Sequence, residues 1–220
     1  VSKYNIKKVV LLSSGDVYGP SPSNSHFIGE DGPLLASQRF PEIRTLVAVD
    51  RAFQSFFWRH HDIETVILRP AHIVGPNVRN APSNYLRLRV IPTLMGFDPM
   101  LQLIHEDDVA RMLEAALQPQ VRGVYNLAGT DPVPLSRILK ILRKPVLPIP
   151  HPLFRAGLNR LWRYRLTSFP PPELDHIRFN AVLDTARAAA DIAVVPKHSL
   201  YEMLEPFRSD RPDEADRDGG

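Results

Sequence analysis

The stretch VVLLSSGDVYGP, residues 9–20, constrains this chain most: a short apolar run ends on two serines and turns at a glycine. A run of this length, bounded by turn residues, predicts a strand buried on both faces, as parallel sheets have. In an open α/β sheet, ligands sit in the crevice beyond the carboxyl ends of the strands. A pair of hydroxyls at such an end therefore predicts one wall of a binding site.

Two further runs have the same character. IETVILRP (63–70) ends at a proline, and GVYNLAG (123–129) runs into a glycine. Residues 19–41, rich in Pro, Ser, Gly and Asn, predict a loop. Pro41 then opens a helix whose Ile43, Leu46, Val47, Phe53, Phe56 and Phe57 share a face, so it packs on the sheet. EDDVARMLEAAL (106–117) predicts a helix with acids in its first turn, where the dipole favours them. Residues 136–142 and 184–190 predict two more. Strand, helix, strand without a hairpin signal implies parallel crossovers. Prolines at 76, 82, 92 and 99 break up the region between the second and third strands, as an inserted lobe would.

Composition narrows the partners. A formal charge of +3 and a pI of about 9.3 are too mild to imply a nucleic-acid surface. The absence of cysteine excludes disulfides and thiolate metal sites and fits a reducing, cytoplasmic setting. No apolar run approaches the ~20 residues that span a bilayer. The first residue is Val1 and no methionine precedes Met95, so further sequence is expected upstream.

SSGDVYG, ILRPAHIVGP, IHEDDVA and GVYNLAG, in that order, resemble the second half of an extended short-chain dehydrogenase/reductase, the NAD-dependent epimerase/dehydratase group. VPKHSLYEML (195–204) resembles the closing segment of the same family. The resemblance implies an α/β fold: a partial Rossmann-like, doubly wound parallel sheet with a small α+β substrate lobe. Residues 1–74 and 105–150 would form the sheet domain, 75–104 and 151–206 the lobe and a helical C-terminal region, and 207–220 a disordered tail. It also implies NAD or NADP as cofactor in the intact protein. No glycine-rich strand–turn–helix for the pyrophosphate occurs here, so this chain alone is expected to bind the cofactor weakly.

The family's chemistry rests on a serine at the first strand end, a tyrosine acid/base, and a lysine one helical turn after it. Ser14 matches the serine, with the plainer alternative that it only caps the turn. Ser13, Ser14, Pro70, Ala71 and His72 are the implied cofactor contacts. The tyrosine and lysine are missing: no tyrosine lies between Tyr18 and Tyr85, and no lysine between Lys8 and Lys140. Glu42 stands near the tyrosine position, Leu46 near the lysine, and Asp50 where an acid often follows. A carboxylate at Glu42 is a base only if burial raises its pKa; a first-turn helix acid in water is the plainer reading. His72 is either an acid/base near neutral pH or a structural hydrogen-bonder.

Leu101 stands where sugar-nucleotide epimerases often carry an arginine for the diphosphate. Arg87 or Arg89 is the candidate in its place, with solvated surface the equal alternative, and Tyr18 is a further candidate substrate contact. Asp107 and Asp108 read as helix-start residues and HHD (60–62) as a helix end, with no metal site implied. HPLFRAGLNRLWRYRL (151–166) gathers Phe154, Leu158, Leu161 and Trp162 near one face, among Arg155, Arg160, Arg163 and Arg165. It reads as a lid on its own domain or as a contact with an anionic membrane surface. The expected partners are a small-molecule substrate and a second copy in a homodimer. Three functions stay open: an atypical oxidoreductase, a cofactor-binding module without turnover, and a peripheral membrane protein.

Overall fold

The structure, a computed structural model, describes residues 5–21, 26–39, 43–163 and 182–208. Strand β1 (Lys8–Leu12) lies parallel to β2 (Glu64–Pro70), with Lys8 opposite Glu64 and Leu12 opposite Leu68. On the other side of β2, β7 (Gly123–Leu127) is also parallel, with Val66 opposite Gly123 and Pro70 opposite Leu127. All three carboxyl ends therefore face one way, as the apolar runs predict.

Alternation along β2 divides its side chains between two layers. Val66 and Leu68 join Val109 and Met112 of helix α4 (Glu106–Ala116), together with Tyr125 and Leu127 of β7, in one core. Arg69 points to the opposite face and reaches Asp50 of helix α2 (Arg44–Arg59). Helices thus cover both faces, the doubly wound arrangement. Helix α4 starts where three acids, Glu106, Asp107 and Asp108, follow the N-cap His105. Helix α2 begins at Arg44, and Pro41 lies outside the described residues.

Two glycines let the loop after β1 fold tightly. A Cβ on Gly15 would sit 2.8 Å from Leu183 Cδ1 and 3.1 Å from the Pro70 carbonyl oxygen. Gly19, at φ +77°, lies where a Cβ would meet the Ala36 backbone at 3.0 Å. Helix α1 (Ala36–Arg39) can approach only because no side chain intervenes there.

Residues 75–104 are knit into their surroundings rather than set apart. They hold helix α3 (Ala81–Leu86), β4 (Ile91–Leu94), β5 (Met100–Leu101) and β6 (Leu103–His105). Strand β6 pairs in parallel with β3 (His72–Val74). Strand β4 pairs in parallel with β9 (Val146–Ile149), and β5 antiparallel with β8 (Val133–Pro134). A second core joins Leu86, Ile91 and Leu103 to Ile138 and Leu142 of helix α5 (Leu135–Leu142) and to Met203 of helix α8 (Leu200–Leu204). The stretch 133–149 therefore packs with the lobe, not with the sheet domain, as a boundary at 150 would have it. Phe207 is also in this core, at 2% exposure, so the ordered chain passes the expected start of the tail; residues 209–220 lie outside the described ones. Helix α6 (His151–Arg163) and helix α7 (Ala186–Asp191) complete the described elements.

Candidate active site

A cavity of about 300 Å³ opens where β1 and β2 end. Ser14 and Asp16 form its wall from the loop after β1, and Ala71, His72 and Ile73 its wall from β2 and β3. Leu101, Leu103, Leu135 and Ile138 also line it, with Tyr85 and Leu86 from α3. The location is the one expected for open parallel sheets.

Three polar residues of the lining sit together. Ser14 is extended, and its Oγ accepts the Asp16 backbone N–H at 3.1 Å, capping the short helical turn Gly15–Val17. The same Oγ–H donates to Asp16 Oδ2 at 3.1 Å. Asp16 Oδ1 lies 3.7 Å from His72 Nδ1, with the imidazole 16% exposed. Asp16 thus bonds the strand-end serine and lies beside the histidine. It reads in the sequence as an ordinary turn acid, and nothing in SSGD alone marks it as more. Asn80 also lines the cavity, but it is held as the α3 N-cap: its Oδ1 accepts from Ser83 N and its Nδ2 donates to the Ile73 carbonyl.

Ser13 faces the other way. Its Oγ–H donates to Asp50 Oδ2 at 2.6 Å, and both residues are buried. Arg69 meets the same carboxylate with two nitrogens, Nε to Oδ2 at 3.0 Å and Nη2 to Oδ1 at 2.7 Å. Its third nitrogen donates to the Tyr18 hydroxyl at 2.7 Å, which in turn donates to Asn126 Oδ1 at 2.8 Å. Burial pushes the Tyr18 phenol above its ordinary value, only partly offset by Arg69. Burial also pushes the Asp50 carboxyl up, but hydrogen bonds from Arg69, Ser13 and Gln54 outweigh it and hold the group below the usual carboxylate range. Ser13 and Tyr18, expected to touch cofactor and substrate, are instead parts of this buried network. Neither lines the cavity.

The remaining candidates separate as clearly. Pro70 is buried at the end of β2. Arg87 donates to the carbonyls of Val78 and Gly75 and lies over the Phe207 ring at 4.8 Å, away from the cavity. Arg89 is exposed and lines no part of it. Glu42 lies outside the described residues. In α6, Phe154 packs against Leu94 and Ile149, on its own domain. The side chains of Arg155, Leu158, Leu161 and Trp162, and residues 164–166, lie outside the described ones. Among the described residues, no helix is long and apolar enough to cross a membrane.

One group offers metal-type ligands: His105, Asp107 and His198 bring one ligand atom each within 4.8 Å of one another. The two imidazoles stack at 3.7 Å with planes 19° apart, so their in-plane lone pairs run side by side rather than converging on one ion. Asp108, beneath them, is fully buried and accepts from Lys197 N, His198 N, the His198 ring and Arg111. Burial pushes its pKa up, but these donors prevail and hold it at about 2. It anchors the C-terminal segment on α4.

The sequence pattern of the "NAD dependent epimerase/dehydratase family" matches residues 1–128. This chain belongs to that family. Its architecture agrees: the UDP-glucuronic acid 4-epimerase of Bacillus cereus, solved with NAD, superposes at a TM-score of 0.65 and 19% identity, over 90% of this chain and 57% of its own. The dTDP-glucose 4,6-dehydratase of Bacillus anthracis, also with NAD, gives 0.67 at 15% identity, over 94% and 63%. Among curated relatives, the uncharacterized protein Rv0501 of Mycobacterium tuberculosis is 29% identical over 209 residues, 92% of this chain and 54% of that protein. The chain thus spans about half the length of this relative. The Mycobacterium tuberculosis protein Rv2047c is 36% identical over 148 residues, 66% of this chain and 16% of its own.

For an epimerase/dehydratase family member, the residues present fit the nicotinamide end of a dinucleotide. The strands are parallel with their carboxyl ends on one side, and Ser14, Ala71 and His72 line the cavity there. A glycine-rich turn for the pyrophosphate is not among the described residues.

Proposed function

We propose that the intact protein is an NAD(P)-dependent oxidoreductase of the epimerase/dehydratase type, acting on a hydroxyl or keto carbon bound at this cavity. Nucleotide-linked sugars, named for the solved relatives, and smaller alcohols or ketones both belong to that chemical class. The observation that carries the reading is the Ser14–Asp16–His72 group at the strand ends, lining the cavity there. Ser14, Ala71 and His72 would hold the nicotinamide end of NAD(P), which would supply hydride transfer at the substrate carbon. His72, with Nδ1 turned to Asp16, takes the hydroxyl proton at Nε2 as the carbon–oxygen double bond forms. Ser14 turns its hydrogen from Asp16 toward the same oxygen and stabilises the charge that develops there. Asp16 orients the imidazole. These three take over the acid/base work that a tyrosine and lysine do elsewhere in the family. This chain alone binds the cofactor weakly, and the intact protein works in the cytoplasm.

The test is NAD(P)-linked oxidation or reduction by the intact protein and its Ser14→Ala variant. Loss of about 10²-fold in turnover, with an unchanged melting temperature, supports the role of Ser14. Cofactor binding without any turnover would favour the second reading, a dinucleotide-binding module. That reading draws on the missing tyrosine and lysine.

A further inference from the structure

We infer that the cavity takes an uncharged substrate with an apolar body and one hydroxyl or keto group, not a nucleoside diphosphate. The inference rests on the functional reading above and names its substrate class. The polar lining is sparse. Ser14, Asp16 and His72 sit together, while Leu101, Leu103, Leu135 and Ile138 line the cavity with apolar side chains, Leu103 directly beside His72 across the β3–β6 pair. The other polar side chains of the lining are engaged: the Tyr85 hydroxyl donates to the Pro92 carbonyl at 2.8 Å, and Asn80 caps α3 and donates to the Ile73 carbonyl. Among the described residues, no lysine or arginine lines the cavity.

A diphosphate placed against such walls would lose its water and gain neither a cation nor a fork of donors, which is strongly unfavourable. The carboxylate of Asp16 adds repulsion beside Ser14 and His72. An alcohol or ketone meets the opposite balance. Its oxygen reaches Ser14 and His72, and its carbon skeleton displaces water from the leucine and isoleucine wall. The volume agrees. At about 300 Å³ the cavity is roughly twice the ~150 Å³ apolar cavity that takes one benzene, so it holds roughly a dozen non-hydrogen atoms. Leu101 makes the substitution legible: it is part of the apolar wall at the position where sugar-nucleotide epimerases often carry their diphosphate-binding arginine.

The probes are benzylacetone, an uncharged aryl ketone of that size, and UDP-glucose, each titrated by calorimetry into this chain as it stands, so that no cofactor is required. Benzylacetone binds with a dissociation constant of about 1 mM or tighter, and UDP-glucose neither binds nor displaces it. Leu101→Arg weakens benzylacetone about tenfold or more. Ala81→Trp fills the same cavity from its half-exposed rim without adding charge and abolishes benzylacetone binding, which covers the case in which the arginine variant fails to fold. Binding of UDP-glucose in competition with the ketone, no binding of the ketone, or ketone binding indifferent to both variants would each overturn the inference. Absence of NAD(P) turnover in the intact protein would count against the functional reading and leave these binding results standing.

Discussion

Asp50 and Arg69 meet in a two-pronged ion pair, 0% and 1% exposed, at the interface between α2 and β2. Each charge is buried only because the other is present, and Ser13, Gln54, Tyr18 and the Glu30 carbonyl make further hydrogen bonds with the pair. Removing one partner strands the other. Asp50→Ala is expected to lower stability by about 3–5 kcal/mol in urea unfolding. The double variant Asp50→Leu with Arg69→Met should lose much less than that, since no unpaired charge remains buried. Equal losses for the two would mean that packing, not charge pairing, holds this interface.

Tyr18 separates the structural from the catalytic reading of the SSGDVYG segment. Its hydroxyl bridges Arg69 and Asn126 in the core. Tyr18→Phe is expected to cost about 1–3 kcal/mol of stability, while leaving the affinity of this chain for benzylacetone unchanged. A loss of affinity without loss of stability would return Tyr18 to the binding site.

Acid should weaken the attachment of the C-terminal segment. The Asp108 carboxyl is held at about 2 by donors from Lys197, His198 and Arg111, against roughly 4 in an unfolded chain. A depressed carboxylate contributes stability that is fully present above its unfolded pKa and is lost as pH falls through the folded one. The window is therefore about pH 4 down to pH 2, and the loss at most about 3 kcal/mol. Urea unfolding across that range should show it, and Asp108→Asn should flatten the dependence. A slope unaffected by the variant would place the acid sensitivity elsewhere, with Asp50 the next group to examine.

Much of the frame was legible because its signals are local. Residues 9–13, 63–70 and 123–129 are apolar runs with turn residues at their ends, and they form adjacent parallel strands. The acids at 106–108 mark the start of α4 just where it begins. Pairings such as β4 with β9 or β5 with β8 were not legible, because segments of two to four residues carry no period and their partners are far along the chain. The site divides on the same physics. Ser13 and Ser14 are neighbours, and successive residues of an extended segment point to opposite sides. One therefore joins Asp50 and the other the cavity, a choice set by which layer lies on which face. Arg69 reads as part of a family motif, yet its role as a buried counter-ion depends on Asp50 arriving from α2. Asp16 gains its place only once β2 and β3 bring His72 beside the turn.

The most direct test of the account is the turnover of His72→Gln in the intact protein, measured as NAD(P)-linked conversion alongside its melting temperature. If His72 carries the proton that the absent tyrosine would carry, kcat falls about 10²–10⁴-fold while the melting temperature holds. Turnover equal to that of the unaltered protein would contradict the account and remove the Ser14–Asp16–His72 group from the chemistry.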